Sequence, residues 1–298
     1  MQTGDFHGQE TVIIENEHFK MECLAHAGPR IVRLIPAWLG ENILADAADA
    51  IIRTALGEYH YFGGHRLWFA PKKVTQTFFP DNHGVTVKEA QNGLKLVGSV
   101  EPDTHTRKTI SIRMSPDRPY IMLKHKIENQ GQEPIRLSPC AITMLRSNSI
   151  ALLPQQLGTL DKEGFLPNRN LSLWSYSRWN DPRLNFGNEY IKIAADDTKQ
   201  AFRLGYFNSH GWLGYVFNDV LFVKRFGVRR DEEYPDFGCN SEVYITNRVL
   251  ELESLGPVME LKPQEEVVHT EIWEVYKTND VPDELFGGKT LAEVLNNL

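Results

Sequence analysis

Short runs of alternating apolar and polar residues, separated by Gly, Pro, Asn or Asp, recur along almost the whole chain. Typical runs are PRIVRLIP at 29–36, TRKTISIRMS at 106–115 and YIMLKHKIEN at 120–129. In an extended strand, successive side chains point to opposite faces, so such a run buries one face and exposes the other. Many short strands between turn residues predict an all-β fold, an antiparallel sandwich or barrel.

Only two segments have a helical pattern. The internal candidate is ADAADAIIRTALG at 45–57, where Gly57 would end the helix. Near the C-terminus, Thr290 and Glu293 have the spacing of a capping box. We therefore expect few helices, including a short C-terminal one over about 288–298.

The composition is that of an ordinary globular protein. The chain has 298 residues, 41% of them hydrophobic, and a net charge of −7. No repeat or linker divides it, so we expect one β-sandwich domain over residues 1–298. Nucleic acids and anionic membranes are usually bound by basic patches, so we expect neither as a partner. We expect a small-molecule ligand and a monomer or homodimer.

Cysteine usage and the N-terminal sequence bear on location and cofactors. Cys23, Cys140 and Cys239 are odd in number and widely spaced, which predicts neither a disulfide framework nor a zinc knuckle. The sequence begins without the pattern of a signal peptide, and no run of about 18 apolar residues occurs. We therefore expect a cytoplasmic protein. Because nucleotide-binding, nucleophilic-serine and metal-ligand motifs are missing, we expect no metal and no cofactor.

Polar residues inside predicted strands are the first candidates for a site. His125 lies in an apolar stripe, as a hydrogen-bonded core histidine or as a proton-transfer group. Glu251 and Glu253 share one strand face, which is either solvated or part of a concave ligand-binding face. Lys224 lies between two phenylalanines, and its ammonium reaches either water or a ligand.

The loop SLWSYSRWNDPR at 172–183 has the composition of a sugar site. It contains Trp179 and Arg183 among other aromatic and polar residues. Sugar faces stack on aromatic rings, while planar polar side chains bind the hydroxyl groups. The alternative is a structural loop that its tryptophans attach to the body of the protein.

The segment YHYFGGHRLWFAP at 59–71 contains a Gly-Gly pair, which predicts a tight turn with close backbone approach. If a strand follows, Arg66 and Trp68 share one face, and His65 lies on the other. Arg66 and Trp68 are then the pair that we expect to face a ligand. His65 reaches the same cleft only if the turn twists it there.

Three segments together resemble a known family. They are YFGGHRLWFAP at 61–71, YPDFGCNSEVYITNRVLELESLGP at 234–257 and EVVHTEIWEVY at 266–276. They are similar to a DUF4380-type bacterial family of the galactose mutarotase-like superfamily, and the resemblance covers about residues 10–277. It implies a large antiparallel β-supersandwich with a sugar-binding concave face.

The resemblance also implies a chemistry, that of an aldose 1-epimerase-like isomerase. Mutarotases of this superfamily use a histidine as general acid on the ring oxygen and a glutamate as general base on the anomeric hydroxyl. By this resemblance Glu253 is the base and Glu251 the second choice. The strand that resembles the acid-bearing one has Cys140 and no histidine. His65 or His125 would then supply the proton.

The complete set of candidates follows from these patterns and from the resemblance. The catalytic candidates are Glu253, His65 and His125, and the substrate-binding candidates are Arg66, Trp68, Lys224, Asp236, Glu242, Glu251, Trp179 and Arg183. Two alternatives remain open. One is a non-catalytic carbohydrate-binding or sensing domain. The other is a polysaccharide lyase-like enzyme, in which Tyr59 or Tyr61 with Arg66 would act on a uronate.

Overall fold

The computed structural model describes residues 1–296, without the side chains of Thr75 and Asp283, and is built almost entirely of antiparallel strands. The strands are β1 (Gln2–Phe6), β2 (Gln9–Glu15), β3 (Phe19–Leu24), β4 (Arg30–Pro36), β5 (Asp46–Thr54), β6 (Gly57–Gly63), β7 (His65–Ala70), β8 (Thr86–Ala90), β9 (Gly93–Val100), β10 (Thr106–Met114), β11 (Tyr120–Asn129), β12 (Ile135–Arg146), β13 (Ser149–Pro154), β14 (Ser172–Leu173), β15 (Leu184–Phe186), β16 (Tyr190–Ala195), β17 (Phe202–Tyr206), β18 (Trp212–Phe217), β19 (Val220–Phe226), β20 (Ser241–Ile245), β21 (Val249–Leu255), β22 (Met259–Leu261) and β23 (Glu266–Lys277). The helical segments are α1 (Val74–Thr77), α2 (Pro235–Gly238), a 3-10 turn (Asp283–Phe286) and α3 (Leu291–Asn296).

Two large sheets face each other. The first sheet has the order β1-β2-β3-β4-β7-β12-β21-β20-β17-β14, and β22 also pairs with β12. The second has the order β15-β16-β13-β18-β19-β23-β11-β10-β9-β8, while β5 and β6 form a two-stranded sheet of their own. The predicted all-β antiparallel sandwich is therefore confirmed.

The main core lies between the two large sheets. It joins Leu67 and Leu252 of the first sheet to Leu123 and Trp273 of the second in one cluster of buried side chains. The alternation that predicted strands is the cause: along β11 the odd-numbered residues are buried, whereas Met122 is exposed. Most strands of the two large sheets thus contribute one apolar face to this core.

The predicted helix over 45–57 is wrong, because this segment forms β5 and the turn into β6. Alanine-rich sequence favours helix, but that preference is weak and tertiary contacts override it. Ala47 pairs with Phe62 and Ile52 with Tyr59 across the hairpin. Pairing with an aromatic strand stabilises an extended conformation.

The predicted C-terminal helix is present as α3, and it starts with the predicted capping box. The Glu293 amide donates to Thr290 Oγ1 at 3.2 Å, and the Thr290 amide donates to Glu293 Oε2 at 2.8 Å. Leu291 and Val294 pack with buried Trp212 beside the second sheet. Residues 297–298 of the predicted helix lie outside the described residues.

The described helices are short, and none of them is long and apolar enough to cross a bilayer. Cys23, Cys140 and Cys239 are buried free thiols.

Candidate functional site

The Gly-Gly turn before β7 requires glycine at both positions. Phe62, Gly63 and Gly64 all have positive φ, at 55°, 88° and 67°. A Cβ atom on Gly63 would lie 2.1 Å from the carbonyl oxygen of Ala45, and one on Gly64 would lie 1.9 Å from that of Ile31. The turn therefore lets the backbone of β7 approach its neighbours closely enough to enter the first sheet.

The strand β7 separates its side chains onto two faces, as its alternation predicts. Arg66 and Trp68 point to the outer face of the first sheet and line a cleft of about 470 Å³. His65 and Leu67 point inward, where Leu67 belongs to the core between the sheets. Arg66 and His65 are therefore on opposite sides of the same sheet.

The cleft has three walls above the first sheet. The β5–β6 hairpin supplies Ala50 and Tyr61, the segment after β7 supplies Lys72 and Phe78, and a loop supplies Tyr176. The full lining is Ala47, Ala50, Tyr61, Arg66, Trp68, Lys72, Lys73, Val74, Thr77, Phe78, Met144, Tyr176, Arg203, Tyr244, Thr246, Arg248, Val249, Glu251 and Glu253. Aromatic side chains beside paired charges give the cleft both apolar stacking surfaces and hydrogen-bonding groups.

A row of polar side chains from three adjacent strands lies at and beneath the floor of the cleft. Arg203, Tyr244, Glu251 and Glu253 line the cleft, and Glu242 is covered. On β20 and β21, Glu242 lies opposite Glu253, and Tyr244 lies opposite Glu251. Arg203 of β17 lies opposite Tyr244. Because cross-strand partners have Cβ atoms about 4.5–5.5 Å apart, these groups interact directly.

Two cations connect Glu242 and Glu253. Lys72 Nζ lies 2.5 Å from Glu253 Oε2 and 3.5 Å from Glu242 Oε2. The Arg203 guanidinium donates to both carboxylates, with Nη2 2.7 Å from Glu242 Oε2. Cys140 Sγ donates to Glu253 Oε2 at 3.3 Å. Glu253 therefore accepts hydrogen bonds from three different side chains.

Arg66 is held flat against the aromatic wall. Its guanidinium carbon lies 4.4 Å from the ring centroid of Trp68 and 5.2 Å from that of Tyr61. Its Nη2 donates to Glu251 Oε1 at 3.0 Å. Stacking and ion pairing together fix the planar group at the cleft surface.

The two neighbouring carboxyls differ in acidity. Burial raises the pKa of Glu242 to about 7, against the opposing effect of Lys72 and Arg203. Burial also acts to raise the pKa of Glu253, but Arg203 and Lys72 outweigh it and lower the pKa to about 2. At neutral pH the pair therefore combines an ionised Glu253 with a Glu242 that binds a proton readily.

His65 and His125 lie between the sheets, where the cleft does not reach them, so the expected proton donor is corrected. His65 Nε2 lies 2.7 Å from His125 Nε2, and His65 Nδ1 lies 3.0 Å from Thr143 Oγ1. His125 Nδ1 donates to the carbonyl oxygen of His269 at 3.1 Å. Burial lowers the pKa of both histidines, so they are neutral and belong to the interior.

Lys224 is also an interior residue, which corrects its expected role in binding sugar. Its ammonium is fully buried and donates to the carbonyl oxygens of Ala141 and Leu252 and to Thr143 Oγ1, at 2.8–2.9 Å. It also pairs with Glu271 at 2.9 Å. The ammonium therefore neither extends to water nor meets the cleft.

Three further candidates lie outside the cleft. Asp236 is part of α2, a turn in which Asp236 and Phe237 have positive φ. Trp179 is 64% exposed, and Arg183 is paired with Asp181 of its own loop at 2.8 Å. The loop 172–183 reaches the site through other residues. Tyr176 lines the cleft, and Trp174 stacks on Arg203 with 4.8 Å from the guanidinium carbon to the ring centroid.

Sequence reasoning missed the two cations that hold the carboxylates. Arg203 occupies the polar position of the alternating segment FRLGY, which marks it as facing out of the core. That signal does not show which strands lie next to it. Lys72 follows the end of β7, where no periodicity predicts the direction of a side chain.

One group in the described part of the chain has donor atoms close enough for a metal ion. These atoms belong to His65, His125 and Glu271 and lie within 4.8 Å of one another. The histidines already bond to each other and to their neighbours, and Glu271 is paired with Lys224. The arrangement is that of a satisfied polar network, so we assign no metal to it.

Known structures share this architecture. A galactose mutarotase-like protein from Lactobacillus casei is 9% identical, with a TM-score of 0.56 over 89% of this chain and 100% of its own. A galactose mutarotase related enzyme from Lactobacillus acidophilus is 11% identical, with a TM-score of 0.59 over 91% of this chain and 98% of its own.

A third similar structure belongs to a longer protein. A TPR-domain containing protein from Parabacteroides distasonis is 14% identical, with a TM-score of 0.64 over 95% of this chain and 49% of its own, so this chain spans about half its length. No family model and no curated protein matches the chain. The structural likeness shows the fold: the chain has the galactose mutarotase-like β-sandwich.

Proposed function

We propose that the cleft binds a small carbohydrate and that the chain is an aldose 1-epimerase-like isomerase with Glu253 as general base. One observation carries the proposal: Arg66, Trp68, Glu251 and Glu253 converge on one cleft. Trp68 offers a ring face for the sugar, while the guanidinium and carboxylate groups offer planar partners for hydroxyls. The ionised state of Glu253 at neutral pH suits a group that accepts the anomeric proton.

The finer resemblance also belongs to this proposal. Two of the three segments that resemble the DUF4380-type family supply the cleft, one through Arg66 and Trp68 and the other through Glu251 and Glu253. The third supplies Glu271 to the interior network. This distribution supports membership of that family. The three free thiols support a cytoplasmic location.

A non-catalytic carbohydrate-binding domain is the second candidate. In its favour, the Glu253 carboxylate already accepts hydrogen bonds from Lys72, Arg203 and Cys140. Few of its lone pairs therefore remain free to accept a proton from a substrate. A pKa of about 2 also makes Glu253 a weak base. A lyase is less well supported, because burial raises the pKa of Tyr61 and a tyrosine base requires a lowered one.

The test is anomerisation measured by polarimetry and by exchange NMR across a panel of freshly dissolved aldoses and hexuronic acids. We expect acceleration by the wild-type protein and a loss of about 10²–10⁴-fold in Glu253→Gln, the usual contribution of a general base. Glu22→Gln is a matched control, since Glu22 is a buried carboxylate that bridges Arg33 and Lys20 in the same sheet.

The outcomes separate the candidate functions. If a sugar raises the melting temperature but its anomerisation is not accelerated, the protein is a carbohydrate-binding domain and not an isomerase. An unsaturated product absorbing in the ultraviolet would indicate a lyase. If no sugar of the panel either stabilises the protein or is turned over, the cleft is not a carbohydrate site.

A further inference from the structure

The proposed reaction needs a proton donor, and no histidine among the described residues lines the cleft. The cross-strand partner of Glu253 is a second carboxyl, that of Glu242. Both carboxylates bind the same Lys72 and the same Arg203. The two carboxyls are thus one unit with two shared cations.

Glu242 differs from Glu253 in having an unused oxygen. Its side chain is fully buried, yet its Oε1 has no hydrogen-bond partner. Buried polar atoms are almost always paired, because an unpaired one loses its hydration without compensation. A proton on Oε1 would turn this atom into a donor that lacks an acceptor within the protein. A ligand oxygen would provide that acceptor.

Lys72 occupies the position from which both carboxylates can be reached. Its ammonium lies within 3.5 Å of both Glu253 and Glu242, lines the cleft and is 21% exposed. Lys72 follows the end of β7, whereas Glu242, Glu253 and Arg203 are fixed on sheet strands. An oxygen that replaced this ammonium would contact Oε2 of both carboxylates, and rotation of the Glu242 carboxyl about its last bond would turn Oε1 to the same place. The hydroxyl and ring oxygens of an anomeric centre share one carbon, so together they fit this position.

We propose that the anomeric centre of the sugar displaces the Lys72 ammonium, and that Glu242 then donates a proton to the ring oxygen while Glu253 accepts the proton of the anomeric hydroxyl. This inference rests on the proposed function. The bond between the anomeric carbon and the ring oxygen breaks, its electron pair remains on that oxygen, and a carbonyl forms at the anomeric carbon. After rotation, ring closure returns the proton of the former ring oxygen to Glu242, while Glu253 gives its proton back to the carbonyl oxygen. Both carboxyls regain their starting states, so the step is balanced.

The charges around Glu242 agree with this role. The groups that face it are Lys72, Arg203, Glu253, Asp236, Cys140 and Cys239. When Lys72 withdraws, Arg203 alone neutralises two adjacent carboxylates, and such a pair retains a proton. The raised pKa of Glu242, about 7, identifies the carboxyl that retains it. Lys72 is a poor donor itself, because the carboxylates raise its pKa despite its burial.

The experiment compares Glu242→Gln with Glu253→Gln and with the control Glu22→Gln, using the aldose that the wild type accelerates most. We expect Glu242→Gln to lower kcat about 10²–10⁴-fold and to change sugar affinity little, because glutamine keeps the shape. We also expect the wild-type kcat/KM to fall as pH rises above about 7, because kcat/KM reports the free protein, in which Glu242 has this pKa. The residual rate of Glu242→Gln should lack that decline.

Two further measurements make the result decisive. Carboxyl NMR of protein labelled at glutamate should show one group titrating near neutral pH that disappears in Glu242→Gln. Lys72→Met should lower kcat less than Glu242→Gln does, and its rate should still decline at high pH, since the proposal makes Glu242 and not Lys72 the proton donor. A loss in Lys72→Met equal to that in Glu242→Gln would make Lys72 the donor and overturn the proposal.

Failure of the two proposals can be told apart. If the wild type accelerates no aldose, the isomerase and the role of Glu242 are both wrong. If the wild type is active and Glu253→Gln is not, while Glu242→Gln keeps the wild-type kcat and pH profile, only the role of Glu242 is wrong.

Discussion

At the scale of single residues, the charged group most dependent on its surroundings is Lys224. Its ammonium has four partners, and its only ionic one, Glu271, is also fully buried. Glu271 in turn accepts hydrogen bonds from Ser254 and Trp273. The lysine thereby connects β12 and β21 of the first sheet with β23 of the second.

We predict that Lys224→Met lowers the free energy of unfolding by about 3–5 kcal/mol, because it leaves the Glu271 carboxylate buried without a cation. Urea denaturation measures the change. The control is Lys124→Met on β11, where the lysine is exposed, and about 0.5 kcal/mol or less is expected there. Equal stability of the two variants would mean that the ion pair contributes nothing net.

Single positions also show how far sequence reasoning reached. Alternation assigned Arg66 and Trp68 to one face and placed His125 in an apolar stripe, and the structure has both arrangements. Alternation does not reveal which residue of another strand completes a contact. The approach of His125 to His65 depends on how the two sheets stack, and short-range sequence carries no signal for that.

At the scale of elements, the entry of β7 into the first sheet depends on the glycine turn. Gly64 has a φ of 67°, and its α-carbon faces the backbone of Ile31. Gly8, in the turn between β1 and β2, has a similar φ of 80° but has open space around it. The two glycines therefore separate the effect of backbone conformation from that of close approach.

We predict that Gly64→Ala lowers the free energy of unfolding by about 2 kcal/mol or more beyond Gly8→Ala, since only the former adds a clash with the backbone to the cost of a positive φ. Thermal and urea denaturation of the two variants provide the comparison. Equal losses would show that the carbonyl of Ile31 moves aside at little cost.

Strands were predicted correctly where apolar and polar residues alternate strongly. They were missed where the intrinsic preference of the residues for helix disagrees with the strand pairing in the fold. The segment 45–57 contains several alanines, which favour helix, yet its hairpin partner β6 carries Tyr59, Tyr61 and Phe62. The cross-strand pairs form only after the chain has turned at 55–56. A prediction from the segment 45–57 alone therefore does not take these cross-strand pairs into account.

At the scale of the whole molecule, stacking the sheets buries three histidines in one interior region. They are His65, His125 and His269, and burial lowers the pKa of each, that of His269 to about 3. The unfolded chain binds protons on these side chains below about pH 6.5, whereas the folded chain does not. Folding stability therefore falls as pH decreases through this range.

We predict that the melting temperature falls between about pH 6.5 and pH 4. The lowered pKa values of the three histidines affect stability more than the raised pKa of the single group Glu242. The raised pKa of Glu242 acts in the opposite direction, stabilising the fold as pH falls from about 7 to 4.5. His269→Gln should reduce the decline, and His26→Gln, at an exposed histidine, should not. A melting temperature that stays constant over this range would contradict the burial of neutral histidines.

The β5–β6 hairpin is a part of the cleft that can change independently of the two large sheets. It forms its own two-stranded sheet, yet its Ala50 and Tyr61 stand over the cleft. Exchanging these side chains reshapes one wall of the cleft, while the strands bearing Glu242 and Glu253 keep their pairing. Under the proposed function, the ligand preference of this protein can therefore be redesigned by changing one hairpin without rebuilding the core.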